Sequence, residues 1–181
     1  MARLLHLNGP SGIGKSTLAR RWADERPGTL DLDVDQVVPL LGGWRDDFGA
    51  ALAPARRLAL AMAAAHLASG KDVVLPQLVT SEAEACRFEA AATDAGATYV
   101  EVALLVSTAE QTERFTAKRR VTAVERHVGN YLKERGGETV LARIHAHHRD
   151  YLAHRPRALR LSTDGHSPDE TYDALVTLLA D

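Results

Sequence analysis

An α/β fold, a parallel sheet covered by helices on both faces, is what this 181-residue chain predicts, and three observations carry it. Near-continuous apolar runs such as Leu4-Leu5-His6-Leu7 alternate with segments of helical spacing, the mark of strands buried on both sides with right-handed crossovers between them. The nine residues Gly9-Pro10-Ser11-Gly12-Ile13-Gly14-Lys15-Ser16-Thr17 follow the first run and open the first helix in the pattern G-x-x-x-x-G-K-[ST]. No internal repeat, low-complexity stretch or linker interrupts the chain, so one domain over 1–181 is expected, with an unpatterned middle at about 119–137 as a lid.

The elements follow in order. Residues 15–25 have helical spacing through Leu18, Ala19 and Trp22, and Pro27-Gly28 stops them. Residues 29–34 read as a second strand and 35–41 as a short helix ending at Gly42-Gly43. Trp44-Arg45-Asp46-Asp47-Phe48 reads as a loop suited to wall a substrate pocket. An Ala/Leu-rich helix over 54–69 closes at Gly70, and 72–75 is a third strand running into Pro76. A Ser81/Glu84 capping box opens a helix over 81–95, which Gly96 closes. Residues 98–106 are the fourth strand, 108–120 are helical, 121–130 are ambiguous, and 131–154 are helical apart from Gly136-Gly137. A fifth strand at 158–162, a loop to Pro168 and a helix over 169–179 complete the chain.

A formal net charge of −2 gives no excess of positive charge for a phosphate backbone to attract, so nucleic acid is disfavoured as the main partner while a local basic groove stays open. No apolar stretch approaches twenty residues and no leader-type segment opens the chain. The single cysteine, Cys86, reads as a packed helical thiol. A cytoplasmic protein, monomer or homodimer, is expected.

The glycine-rich loop implies a nucleoside triphosphate. Gly9, Ser11, Gly12, Ile13 and Gly14 let the backbone wrap a phosphate so that N–H groups and the next helix's N-terminus converge on it. Lys15 would reach the β- and γ-phosphates, Ser16 would place its hydroxyl on Mg²⁺, and Thr17 would touch the α-phosphate. Thr29-Leu30-Asp31-Leu32-Asp33-Val34-Asp35 places three carboxylates at alternating positions, all on one side of an extended strand. Phosphoryl transfer uses two such groups, one to hold magnesium and one to accept the proton of an attacking hydroxyl. Asp35 is assigned as base and Asp33 as magnesium partner, with Asp31 structural; the alternative is that Asp35 caps the following helix.

Strand three ends in Leu75-Pro76-Gln77 without the acidic residue that holds magnesium in motors, transporters and signalling GTPases. Gln77 either bonds substrate or a magnesium-bound water, or simply ends a strand. Arg114, Lys118, Arg119, Arg120 and Arg126 cluster after strand four. An arginine delivered there by a closing lid would neutralise the transferred phosphate; Arg119 and Arg120 are the candidates, Arg126 is the reserve on the substrate side, and Arg114 is expected to pair with Glu110 or Glu113. Trp44 and Phe48 either cover an apolar substrate beside Arg45 or pack on the next helix. Of His145, His147 and His148, only the first and last share a helical face, and no further ligand completes a metal site, so solvated or lid-packing histidines are expected. His127 is placed in the lid and His66 in the core.

On these residues the chain resembles small P-loop kinases and ATP-binding proteins of the zeta-toxin, chloramphenicol phosphotransferase and polynucleotide 5′-kinase kind. Leu7-Asn8-Gly9 through Ser16 resembles the L-N-G-x-x-x-x-G-K-S opening of the chloramphenicol phosphotransferases, and Val34-Asp35 resembles their V-D pair. Asp33-Val34-Asp35 is similar to the D-x-D of shikimate and gluconate kinases. Asp46-Asp47-Phe48, Gly70-Lys71-Asp72-Val73-Val74-Leu75-Pro76 and the Arg-rich helix resemble tunicamycin-resistance ATP-binding proteins. The resemblance implies a three-layer P-loop fold with strand order 2-3-1-4-5, ATP with Mg²⁺, and an adenine bordered by Thr163-Asp164-Gly165.

The expected function is transfer of the ATP γ-phosphate to a hydroxyl of a small molecule, an antibiotic or a metabolite. Alternatives are a non-catalytic ATP-dependent drug-binding protein and a polynucleotide 5′-kinase. A nucleoside monophosphate kinase would need arginines for the acceptor phosphate, Arg45 with Arg56 or Arg57, and three nearby carboxylates would repel that phosphate.

Overall fold

The computed structural model describes residues 1–118, 120 and 122–180. Five parallel strands, β1 (Arg3–Asn8), β2 (Leu30–Asp31), β3 (Val73–Leu75), β4 (Thr98–Leu105) and β5 (Leu159–Ser162), pair in the order β2-β3-β1-β4-β5. The sheet is the one the sequence predicts. β1 is central, with Leu4 opposite Val73 on one side and Tyr99 on the other.

Alternation along β1 sorts the two helical layers. Leu5 and Leu7 pack with α1 (Lys15–Asp24) and α8 (Pro168–Ala180), in a cluster that holds Leu18, Trp22, Tyr172 and Leu175. Leu4 belongs to the other layer, with Leu75, Phe88 of α4 (Glu82–Asp94) and the alanines of α3 (Phe48–Ala68). Farther along that layer, Tyr151 and Leu152 of α7 (Glu138–Ala153) pack against Ala85 and Ala103. Phe115 of α5 (Thr108–Ala117) and Leu132 of α6 (Ala123–Glu134) share a fourth cluster with Leu141 of α7. None of the helices among the described residues is long and apolar enough to cross a membrane.

Several boundaries depart from the sequence reading, each for a local reason. The second strand is two residues long, because Asp33 ends it by capping α2 (Val34–Val37), and a 3₁₀ turn at Val38–Leu40 follows. α3 starts at Phe48, where the Asp47 side chain accepts the Ala50 N–H at 2.9 Å. Pro54, which suits a first helical position, therefore lies inside the helix. Ser81 precedes α4 without a side-chain capping bond, and Glu84, its expected partner, pairs with Arg56 at 3.0 Å. The ambiguous stretch instead holds a complete capping box: Thr122 and Glu125 bond each other's backbone N–H groups and open α6. Cys86 is exposed rather than packed. His66 is half-buried and donates to the Gly28 carbonyl at 2.8 Å, outside the core.

α3 meets the sheet through a seam of small residues, Ala51, Ala55, Ala59 and Ala63, four apart and buried. Spacing by four keeps one face toward the core, and the absence of longer side chains lets the helix lie close. We predict that Ala59→Leu, which forces extra methylenes into this seam, lowers stability by about 1–3 kcal/mol in chemical denaturation. Leu58→Ala, on a side chain 44% exposed, is expected to shift it by less than about 0.5 kcal/mol.

Candidate active site

The phosphate loop runs from the end of β1 into α1. Gly9 has room only for hydrogen: a Cβ there would lie 3.1 Å from the Leu104 carbonyl oxygen. Gly14 adopts φ +102° as the residue before α1, and its carbonyl accepts from Thr17 and Leu18. α1 has no side-chain cap and no acidic residue in its first turn, so its first N–H groups and the positive end of its dipole remain available to an anion.

Lys15 is partly buried at the base of this loop and donates to the Pro10 carbonyl at 3.0 Å. Burial pulls its amine down to about 8, against the opposing pull of the Asp33 and Asp35 carboxylates; Lys118 adds to the depression. Next to it, the Ser16 hydroxyl donates to Asp33 Oδ2 at 2.8 Å, while Asp33 Oδ1 accepts the Asp35 N–H at 3.0 Å. A serine hydroxyl beside a carboxylate is a pair of hard oxygen donors, which suits Mg²⁺.

The three carboxylates do not share one side. Asp31 pairs with Arg20 at 3.0 Å through one oxygen, and its other oxygen is buried without a hydrogen-bond partner. Asp33 turns the chain, and Asp35 lies in the first turn of α2 rather than on a strand, so the alternation argument fails although the side chains still converge. The capping role belongs to Asp33, not Asp35. Asp35 is partly buried, and that burial, with repulsion from Asp33, pushes its carboxyl up to about 6 against the pull of Lys15, Lys118 and Arg56.

The other expected site residues divide. Arg119 lies outside the described residues. Arg120 donates to the Phe115 carbonyl at 3.0 Å and stacks 4.6 Å from the Phe115 ring centroid, committing its guanidinium to the end of α5. Lys118 is the basic residue whose field reaches both Lys15 and Asp35, and it pairs with Glu125 at 2.8 Å. Arg126 stands in the first turn of α6. Arg114 pairs with Glu110 and bonds the Thr163 hydroxyl at 3.1 Å, fastening the loop after β5 to α5. In that loop Asp164 Oδ1 accepts the Ser107 N–H at 2.7 Å, and the Gly165 N–H donates to Glu110.

On the opposite flank, Trp44 is buried edge-on against His127, ring centroids 5.4 Å apart, with the Arg45 guanidinium 4.5 Å from its centroid. Phe48 packs on both His127 and Tyr131. Trp44 is thus an anchor between its loop and α6 rather than an open wall. Gln77 turns back on its own chain, its side-chain N–H₂ on the Leu78 carbonyl, and its backbone carbonyl accepts from His6 Nε2 at 2.9 Å.

Two buried groups lie behind the loop: Gln111, which the sequence reading missed, and His148, which it expected as a solvated or lid-packing histidine. Gln111, fully buried, reaches the Ser11 carbonyl at 3.5 Å and bonds His145 Nδ1 at 3.2 Å. His148 is 4% exposed, and its Nε2 has no hydrogen-bond partner. Burial, then the Lys15 charge, drives its pKa down to about 4, so the ring is neutral. Among the described residues no cluster of His, Cys, Asp and Glu is arranged to hold a metal.

A family model described as an AAA domain, AAA_33, matches residues 4–139. No curated protein matches the chain. Among solved structures, the Deinococcus radiodurans tunicamycin resistance protein superposes with a TM-score of 0.59 at 14% identity over 99% of this chain and 96% of that one. Mycobacterium tuberculosis APS kinase, in complex with AMPPNP and APS, gives 0.60 at 21% identity over 99% and 98%. A gluconokinase from Sinorhizobium meliloti gives 0.59 at 16% identity over 97% and 91%.

His148 carries a pH signature. An unfolded chain takes up a proton near 6.5, whereas the folded chain resists to about 4, so lowering pH across that window favours unfolding. We predict that the wild type loses up to ~3 kcal/mol relative to His148→Gln between pH 6.5 and 4 in paired denaturant titrations. A pH-independent difference between the two proteins would refute the buried neutral ring.

Proposed function

The chain belongs to the AAA domain family, and on that premise we propose that it is an ATP-dependent phosphotransferase acting on a hydroxyl group of a small molecule, an antibiotic or a metabolite. The observation that carries the reading is the Ser16–Asp33–Asp35 arrangement: one carboxylate bonds the loop serine at 2.8 Å and, through its other oxygen, fixes the turn that carries a second carboxylate of raised pKa. A structure that only bound nucleotide would not need the second.

Lys15 and the N–H groups of residues 12–16 hold the phosphates of ATP. Ser16 and Asp33 would hold Mg²⁺, which would supply charge neutralisation to the triphosphate. Asp35 accepts the proton of the acceptor hydroxyl as its oxygen bonds to the γ-phosphorus and the bridging bond to ADP breaks. With a pKa of about 6 this carboxylate is ionised at neutral pH yet more basic than an ordinary aspartate, which suits a general base. Lys118 and a lid arginine, Arg119 or Arg126, offset charge on the transferred group. The kinship in fold with APS kinase and gluconokinase supports the reaction class; the small formal charge favours a small-molecule acceptor over nucleic acid.

Turnover is to be followed as ATP consumption, with the product read by mass spectrometry. Asp35→Asn should lower kcat by about a hundredfold or more while ATP affinity changes only a few-fold; equal losses in both would refute the base assignment. The pH profile of kcat/KM should be bell-shaped, rising through about 6 as Asp35 ionises and falling above about 8 as Lys15 loses its charge. The acid limb should vanish in Asp35→Asn.

A further inference from the structure

A cleft of about 290 Å³ lies between α3 and the start of α4, lined by Arg56, Arg57, Arg87, Ser81, Glu84 and Phe88. Three guanidiniums face one carboxylate there, so two positive charges are left over in a small volume. Arg57 and Arg87 are exposed and, among the described residues, neither has an ion-pair partner. Arg56 lies 3.0 Å from Glu84, but in a direction that makes no hydrogen bond, so Glu84 holds the guanidinium in place without consuming its donors. The Ser81 hydroxyl, which makes no capping bond, lines the same space. Phe88 is buried at its base.

The cleft belongs to the acceptor side of the site. α4 begins just past the carboxyl end of β3, the edge that carries the phosphate loop, and α2 with Asp35 packs on α3. Arg56 connects the two regions: it lines the cleft and its field reaches Asp35. The repulsion expected from three carboxylates is reduced: Asp31 is paired with Arg20, Asp33 accepts from Ser16 and the Asp35 N–H, and the Arg56 charge opposes that of Asp35.

Resting on the phosphotransferase reading, we propose that this cleft seats an oxyanion group of the hydroxyl acceptor, a carboxylate, sulfate or phosphate, gripped by Arg56, Arg57 and Arg87. Arginine forks match planar or tetrahedral oxyanions through paired hydrogen bonds, and three around one pocket select acceptors that carry such a group over neutral ones. The acceptor is therefore an acid that also bears a hydroxyl: the anion docks between α3 and α4 and the hydroxyl lies toward Asp35.

The test uses inorganic sulfate as the probe, titrated into protein whose phosphate loop is saturated with ADP, with backbone amide NMR shifts as readout. Shifts are expected at Ser81, Glu84 and Arg87, with a dissociation constant raised about tenfold or more in the Arg57→Gln/Arg87→Gln double variant, since hydrogen bonds to charged groups are strong enough for that. ADP affinity in the same samples reports that each variant is folded. Sulfate that leaves these amides unmoved, or binds the double variant equally well, overturns the proposal. A parallel assay compares hydroxyl acceptors that differ only by a carboxylate, sulfate or phosphate, which separates the three sources of the anion. Arginine-dependent sulfate binding without transfer to any acceptor upholds the cleft and counts against the phosphotransferase reading. Transfer that prefers the neutral member of every pair upholds the phosphotransferase and overturns the cleft.

Discussion

The site depends on how the two oxygens of Asp33 are spent. One accepts the Ser16 hydroxyl from the first turn of α1, and the other accepts the Asp35 N–H at the first turn of α2. A single carboxylate thereby ties the start of α2 to Ser16 in the first turn of α1, 17 residues before Asp33. Hydrogen bonds to a charged group contribute about 1.5–3 kcal/mol each, and a capping interaction about 0.5–2. The geometry also has a cost in length: the chain cannot stay extended and cap a helix at the same residue, so β2 is cut to two residues. What is gained is position, because a residue in the first turn of α2 enters the field of Lys15 where a strand residue would have continued along the sheet edge.

Behind the loop, the two faces of β1 are chemically unlike. Leu5 and Leu7 meet a purely apolar layer, whereas His6 and Asn8 face buried polar partners. His6 Nε2 donates to the Gln77 carbonyl and Nδ1 lies 2.7 Å from the Tyr99 hydroxyl, while burial pulls the ring's pKa below its ordinary value against the Glu101 carboxylate. Asn8 bonds both the N–H and the carbonyl of Val79 and donates to Glu101. Glu101 in turn accepts Tyr151 and Arg155. Burial alone would push the Glu101 carboxyl up, but the neighbouring His6, together with these donors, holds it below the usual range. Each partner left unpaired would be costly in so dry a place, so the network fixes one arrangement of β1, the β3–α4 connection and α7, and with it the platform from which the phosphate loop springs.

Much of the fold was legible because its signals are local. Apolar runs marked β1, β3 and β4, and the glycine spacing marked the loop. Readings failed where a distant residue took over a local role. Glu84 had the spacing of a capping partner, but Arg56 of α3 captured it. Pro54 looked like a helix start because nothing nearby revealed that Asp47 caps the helix seven residues earlier. The convergence of Asp33 and Asp35 was anticipated, but through strand alternation, when the cause is a turn. His148 was hidden since helical spacing groups it with His145 without saying that their shared face lies against the loop and Gln111. Cys86, in a helix rich in alanine, was assigned to the packed side when the core face runs instead through Ala85, Phe88 and Ala92.

That last feature has a practical side. The chain has one thiol, exposed, on α4 and adjacent in sequence to Arg87. A maleimide fluorophore or a nitroxide therefore attaches at a single place without prior removal of other cysteines. With Trp22 replaced by Phe, Trp44 buried beside α6 is the single indole, and energy transfer between it and the label reports the separation of the α4 and α6 regions.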